Sequence, residues 1–453
     1  MTLEELVGNI RPLLPDPVDE LQVAAMLESQ GVTDEAAVAE YGMADVFELA
    51  HHVYPLLTPA APAAEPPPEP ARPWWADVMH GLLYLMPSAV YPAVFAVLGG
   101  PDMLRGLVFA TTAGWVWGAG TSWIGHRLTG AGATRLAART LVLLGGGGFV
   151  LAFAGALLIL RWYGGGVELV LFVLAQTGFQ VASGILLFHR REVLLLAAML
   201  PACLAGVMHL ISGYAEEMVP PVLVAGLLSV SLALVAGYRT GRVRGNDPGK
   251  VPPARVLALG ALPSTVYAAL CAAFLLHTDV RYVMGPVDLA VGVTPLVVGM
   301  GAVEWRVHRL FDQAGALLRR CASPALFDRA MWRLLLRELA TCLLVLGALA
   351  LVLLSALRAG GVLTVHGALL IDAHVLLGGA FFLGFVLIRT GGTGRATACL
   401  ALVLPVDVVL VEVTAAGPAR YGDVPVFLGC CAALSILLLT ALRRSVGQVR
   451  HYR

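Results

Sequence analysis

The chain is poor in charge. Asp, Glu, Lys and Arg make up 13% of its 453 residues, while 58% are hydrophobic, and the mean hydropathy is +0.81. A water-soluble globule of this length needs a far more charged surface, so the composition specifies an integral membrane protein. Lysine is nearly missing: of thirty basic residues only Lys250 is a lysine. That bias suggests a high-GC bacterial genome and carries no functional information. Basic and acidic residues cancel to a formal charge of zero, so no global field would draw a nucleic acid.

The seven cysteines, Cys203, Cys271, Cys321, Cys342, Cys399, Cys430 and Cys431, show no CxxC spacing, and all but Cys321 lie in apolar stretches. They read as small buried hydrophobes, not as disulfides or metal ligands. HExxH, GxSxG and Walker A motifs are missing, and the run Gly145–Gly148 has no following Gly-Lys-Ser/Thr. Neither enzymatic machinery nor a cofactor or metal is expected. The first apolar connection, "GGPDML", holds Asp102 alone where a glycosyltransferase using polyprenyl-linked donors would need an acidic pair. An acidic amphipathic start replaces the charged, apolar leader of a signal peptide.

What the chain does contain falls into blocks. Residues 1–57 carry eleven acidic residues against Arg11, a formal charge of −10. "DEAAVAEYGMADVFELAHHVYPLL" predicts two short amphipathic helices with Val38, Val46, Phe47, Leu49 and Val53 inward, the first starting at Thr33. The proline-rich stretch 58–73 follows, a semi-rigid spacer that cannot pack. Twelve apolar stretches of spanning length then begin near Trp75, Met103, Ala137, Val167, Val193, Val219, Arg255, Gly285, Leu334, His366, Arg395 and Pro425. They divide into six over 74–245 and six over 254–445, with a tail over 446–453. Alternate connections hold 23 basic residues and the others five, Arg105, Arg161, Arg281, Arg358 and Arg420. The positive-inside rule then puts both termini in the cytoplasm, of a bacterial cytoplasmic membrane.

The stretches repeat. "LMPSAVYPA" (Leu85–Ala93) in the first matches "ALPSTVYAA" (Ala261–Ala269) in the seventh. "WIGHRL" (Trp123–Leu128) in the second matches "WRVHRL" (Trp305–Leu310) in the eighth, and "LAAMLP" (Leu196–Pro201) in the fifth matches "LALVLP" (Leu400–Pro405) in the eleventh. Three ordered matches imply a duplication. An even number of helices per half gives parallel repeats related by an axis along the membrane normal. The expected fold is all-α: twelve transmembrane helices in two parallel six-helix repeats, plus a small N-terminal helical domain. Pro87, Pro263, Pro201 and Pro405 are candidate kinks or hinges.

Polar groups at membrane depth are candidate functional residues. Asp407, between apolar runs just after Pro405, is the sharpest. His209, Asp372, His374 and Glu412 join it, as do Gln176 and Gln180, which share one helix face. Asp288 lies at the other end of the eighth stretch. Glu304, Arg337 and Glu338 read as interfacial ion pairs.

Two six-helix halves, cytoplasmic termini and prolines in the first and seventh helices resemble the multidrug/oligosaccharidyl-lipid/polysaccharide exporter superfamily. "TPLVVGMGAVEWRVHRLFDQAGALLRR" (Thr294–Arg320), an apolar helix reaching Glu304 and continuing into an amphipathic basic segment, is similar to its PelG-like exopolysaccharide branch. The resemblance covers about residues 75–445 and implies a MATE-like fold and alternating access. It further implies export of an envelope polysaccharide or lipid-linked glycan precursor. A cation-coupled exporter of small molecules and a membrane scaffold for an envelope or division complex are the alternatives. Expected partners are membrane lipid, the glycan substrate and a cytoplasmic protein docking on residues 1–57.

Overall fold

The computed structural model describes residues 3–14, 17, 19–57, 74–242, 251–320, 323–415 and 422–452. Asp16, the proline-rich stretch 58–73, Arg244, Lys250, Cys321, Arg420 and Arg453 lie outside them. The chain divides into two compact units, Met1–Arg72 and Pro73–Arg453.

The first unit has four helices, Leu3–Ile10, Glu20–Ser29, Asp34–Tyr41 and Val46–Leu57. Asp19 caps the second by accepting from the Gln22 N–H, and Thr33 caps the third by accepting from Ala36. Leu6, Ile10, Val23, Leu27, Leu49 and Val53 form its core. Val46, Leu49, Ala50, Val53 and Leu57 recur at helical spacing and set the buried face of the fourth helix. Phe47 stands off that face and is 55% exposed, against expectation, as is Val38 at 56%. The third helix is only two turns long and buries Ala37 alone.

Among the described residues the second unit is a bundle of twelve helices. Helix 1 is built from Trp74–Leu85, a 3₁₀ turn Met86–Val90 and Tyr91–Leu98. Helices 2 to 6 are Gly100–Gly130, Thr134–Tyr163, Val167–Phe188, Glu192–Ile211 and Val219–Gly241. Helix 7 is Ala254–Asp279, and helix 8 joins a short turn Val287–Ala290 to Thr294–Leu318. Helices 9 to 12 are Pro324–Ala359, Val365–Arg389, Thr393–Ala415 and Asp423–Leu442. Eleven of them are long and apolar enough to cross a membrane. The remaining one, helix 2, has the length but carries Gly, Thr and Trp, and it packs against helices 3, 4 and 7. The chain is a multi-pass membrane protein. Helix 9 begins ten residues earlier than its apolar core, because Ser323 caps a polar first turn by accepting from Leu326.

The two sets of six pack alike. In the first, helix 2 meets 3 and 4, helix 3 meets 4, helix 4 meets 6, helix 5 meets 6, and helix 1 meets 5. In the second, helix 8 meets 9 and 10, helix 9 meets 10, helix 10 meets 12, helix 11 meets 12, and helix 7 meets 11. Adding six to each number turns one pattern into the other. The sets join through helix 1 on 8 and helix 7 on 2, again an equivalent pair. Twelve helices of alternating direction bring Trp74 and Leu442 to the same end of the bundle, here the near end; the opposite one is the far end.

The equivalent prolines do not behave equivalently. Only Pro87 sits in a break, the 3₁₀ turn of helix 1, whereas Pro201, Pro263 and Pro405 stay inside continuous α-helices. The difference lies in the repeated sequence itself: helix 1 has Pro92 where helix 7 has Ala268. Two prolines five residues apart remove two backbone donors from adjacent turns. Helix 5 presses against the break, and a Cβ on Gly206 would lie 2.2 Å from the Ala89 carbonyl. After Pro201 the Ala202 N–H donates to Ser229 on helix 6, at 3.0 Å. The rest of helix 1, beyond Met86, packs on helices 2, 4, 5 and 6 of its own half.

Candidate functional site

The last turn of helix 7 and the residues after it read His-Thr-Asp-Val-Arg. Residues 277 and 281 are four apart and point to one side of the helix; residue 279 points away from them. All three find partners. His277 Nδ1 lies 3.1 Å from Asp407 Oδ2 on helix 11. Arg281 Nη2 donates to Glu412 Oε1 on the same helix at 2.6 Å. Asp279 Oδ1 lies 3.0 Å from His374 Nε2 on helix 10. The short stretch 277–281 therefore ties helix 7 to helices 10 and 11 at the far end.

The cluster is graded from inside to rim. Asp407 is fully buried, and its Oδ1 makes no hydrogen bond among the described residues. The thiol of Cys430 on helix 12 borders the carboxylate. A buried carboxylate without full hydrogen bonding costs several kcal/mol, on the order of what a proton or a cation bound there would recover. His277, at 21% side-chain exposure, stands between it and the surface. Arg281 and Glu412 form the open rim.

His374 is fully buried, with its ring edge-on to Phe427 at 5.6 Å. Its Nδ1 faces the Leu370 carbonyl at 2.8 Å while Nε2 faces Asp279. Both nitrogens thus face oxygen acceptors.

Of the seven candidates from the sequence, the structure brings together Asp407, Glu412 and His374. It leaves the others apart. Asp372 is exposed on the face of helix 10 turned away from His374. His209 is buried on helix 5 beside Tyr214, with its Nδ1 unpartnered among the described residues. Gln176, with Tyr91, borders an apolar cavity of about 160 Å³ between helices 1, 4, 5 and 6. Gln180, one turn on, is pressed against Gly114 of helix 2. Asp288 is structural: its Oδ2 accepts from the Thr364 N–H and hydroxyl, and that hydroxyl caps helix 10.

The near end holds a second polar layer, between the halves. His80 Nδ1 of helix 1 is 2.6 Å from Glu304 Oε2 of helix 8, and His80 Nε2 is 3.5 Å from Glu192 Oε1 of helix 5. Tyr84 donates to Glu304 at 3.4 Å, and His308 Nδ1 lies 3.2 Å from Asp77 Oδ2. Glu338 takes Arg306 and Arg337. Glu304 is thus paired across the halves with a histidine, whereas the sequence suggested an ordinary interfacial pair. The residues missed from sequence are His277, Asp279, Arg281 and His80. Three polar side chains at alternate positions closing an apolar stretch were the available signal; Arg281 alone reads as a connection charge.

Solved structures share this architecture. One titled "Crystal structure of MATE in the bent conformation" matches with a TM-score of 0.50 at 15% identity, over 83% of this chain and 93% of that one. The chain has the MATE transporter fold. Another, "Crystal structure of MATE in complex with MaL6", matches with a TM-score of 0.49 at 15% identity, over 83% and 96% of the two chains. No protein-family model and no curated protein matches the sequence.

Proposed function

We propose that the chain is an alternating-access membrane exporter driven by a cation gradient, with the His277–Asp407 pair taking up the cation as a proton. The observation that carries this reading is a buried, incompletely hydrogen-bonded carboxylate reached through a part-exposed histidine, on a helix that also joins the two halves. Taking up a proton relieves the burial cost; losing it restores the cost, so occupancy biases the packing of helix 7 against helices 2 and 11. The arginine distribution supports a cytoplasmic near end. The cargo we propose is an envelope polysaccharide or lipid-linked glycan precursor, on the resemblance of Thr294–Arg320. The N-terminal unit, acidic and with its own core, recruits a protein with a basic surface.

The test is reconstitution in proteoliposomes with a labelled lipid-linked sugar and an imposed pH gradient. Gradient-dependent movement that disappears in Asp407→Asn supports the reading; undiminished gradient-driven movement in that variant defeats it. A second reading, export of small cationic molecules, is favoured by the far-end cluster. There Arg281 is already matched by Glu412, which leaves Asp407 to face a cation. Efflux of a cationic dye from the same vesicles, with no sugar movement, would select it.

A further inference from the structure

We propose that the first unit carries a docking groove for a basic amphipathic helix of a partner protein, lined by Leu21, Phe47 and Tyr54. The inference rests on the recruitment reading of that unit and names the face that does the recruiting. Phe47, His51 and Tyr54 stand at i, i+4 and i+7 on the fourth helix of the unit, so one face carries a row of three rings. The core face is a different one, set by Val46, Leu49, Ala50, Val53 and Leu57. The second helix packs alongside the fourth and places Glu20 Oε1 2.9 Å from His51 Nδ1. Asp19, Glu20 and Leu21 of that helix start line a cleft of about 390 Å³ together with Phe47 and Tyr54. Tyr54 rests on the core, whereas Leu21 and Phe47 stand outside it among the described residues, 65% and 55% exposed. Two large apolar side chains beside one cleft are a feature that folding of the unit does not use and that contact with a partner does.

Charge decides the occupant. The cleft joins apolar side chains to the carboxylates of Asp19 and Glu20, on a unit whose formal charge over residues 1–57 is −10. Asp19 accepts the Gln22 N–H as a helix cap and keeps its charge. A second copy of the unit would bring the same negative charge, and an anionic membrane surface repels it. The stretch 58–73 holds Glu65 and Glu69 against Arg72 and is itself negative. A helix with a large apolar residue at every third or fourth position, flanked by arginine or lysine, matches both parts of the cleft. The fourth helix has twelve residues and is about 18 Å long, enough to lie along three turns of such a partner. An apolar side chain of the partner enters between Leu21 and Phe47. Its guanidiniums meet Asp19 and Glu20 and stack on the faces of Phe47 and Tyr54. The acidic charge steers the encounter, and the apolar contact supplies most of the affinity.

The experiment uses the full-length chain in phosphatidylcholine nanodiscs, with empty discs as the blank. The probe is a fluorescein-labelled three-turn helical peptide with leucine at i, i+4 and i+7 and arginine beside them; a second peptide carries serine for each leucine. Anisotropy reads binding. The leucine peptide is expected to bind, to weaken as salt is raised, and to lose at least about tenfold in affinity in Phe47→Ser. Val38→Ser, at a position 56% exposed on the third helix and outside the cleft, leaves binding unchanged. Leu21→Ser is expected to give the same loss as Phe47→Ser, and it decides if Phe47→Ser does not fold. Equal binding of the two peptides, or wild-type affinity in both variants, overturns the groove and leaves recruitment by charge standing. Binding of neither peptide overturns groove and recruitment together. With the photoreactive p-benzoylphenylalanine in place of Phe47, capture of the leucine peptide supports the proposal. Capture of a second copy, a lipid or residues 58–73 in the presence of that peptide overturns it. The transport reading stands or falls separately from all of these outcomes.

Discussion

Adding one methyl group at Gly81 should force helices 1 and 8 apart. A Cβ built there lies 1.8 Å from the Val298 carbonyl oxygen, and ordinary contact begins at 3.4 Å. The shortfall is 1.6 Å, the difference of those two distances. The obstructing atom is backbone, so no rotamer change can yield; the helices must move. A shift on that scale would carry His80 Nδ1 from 2.6 Å to beyond hydrogen-bond reach of Glu304. Overpacking costs about 1–3 kcal/mol, and a small residue at a close membrane-helix crossing is the usual means of avoiding it. Gly81→Ala is expected to lower the melting temperature in detergent and slow transport. Gly347→Ala, on helix 9 with nothing within 4 Å of its built Cβ, is the control and is expected to be neutral or slightly stabilising, by up to about 1 kcal/mol. Wild-type melting and transport in Gly81→Ala would refute the reasoning, since the backbones could not then be in contact in the working protein.

Asp407→Asn is expected to keep or raise thermal stability while lowering gradient-driven transport at least about tenfold; paired melting and flux measurements check it, the stability gain following from removal of a buried charge. Arg281→Glu with Glu412→Arg should restore most of what either single change loses, because the pair lies at the rim and acts by charge alone, and a transport cycle over the four proteins measures this. Pro92→Ala should return a backbone donor to helix 1 and suppress the break at Met86–Val90, which amide exchange of that segment would report as increased protection. His189, just past helix 4, is held below its ordinary value first by burial and then by Arg191. The unfolded chain therefore takes up this proton first as pH falls, and stability is lost from about pH 6.5 downward; His189→Gln should flatten that part of the melting-temperature profile.

The class of fold was legible because membrane spans announce themselves residue by residue: every backbone group must be satisfied within the helix, so apolar length alone marks a span. The repeat was legible through its prolines and the Trp-x-x-His-Arg-Leu matches. The asymmetry between helices 1 and 7 was also written down, as Pro92 against Ala268, but whether a second proline breaks a helix depends on what packs beside it, here Gly206. The site was half legible. Asp407 stood out against apolar neighbours, whereas His277, Asp279 and His80 gained their meaning only from partners 95 to 224 positions away. Gln176 and Gln180 share a helix face, yet one borders a cavity and the other a glycine. Val38 misled because its two-turn helix buries too narrow a strip for periodicity to locate, and Phe47 because it stands beside the face set by Val46, Leu49, Ala50 and Val53.

The joint between the halves is uneven along its two seams. Helices 2 and 7 stay together from Gly120 against Thr265 to Leu128 against Leu257, and Gly100 at the start of helix 2 still meets Met284 in the connection after helix 7. Helices 1 and 8 meet around Asp77–Tyr84, after which helix 1 turns into its own half. A door hung this way has a post and a free edge. Its free edge lies along the second seam, where helix 1 parts from helix 8.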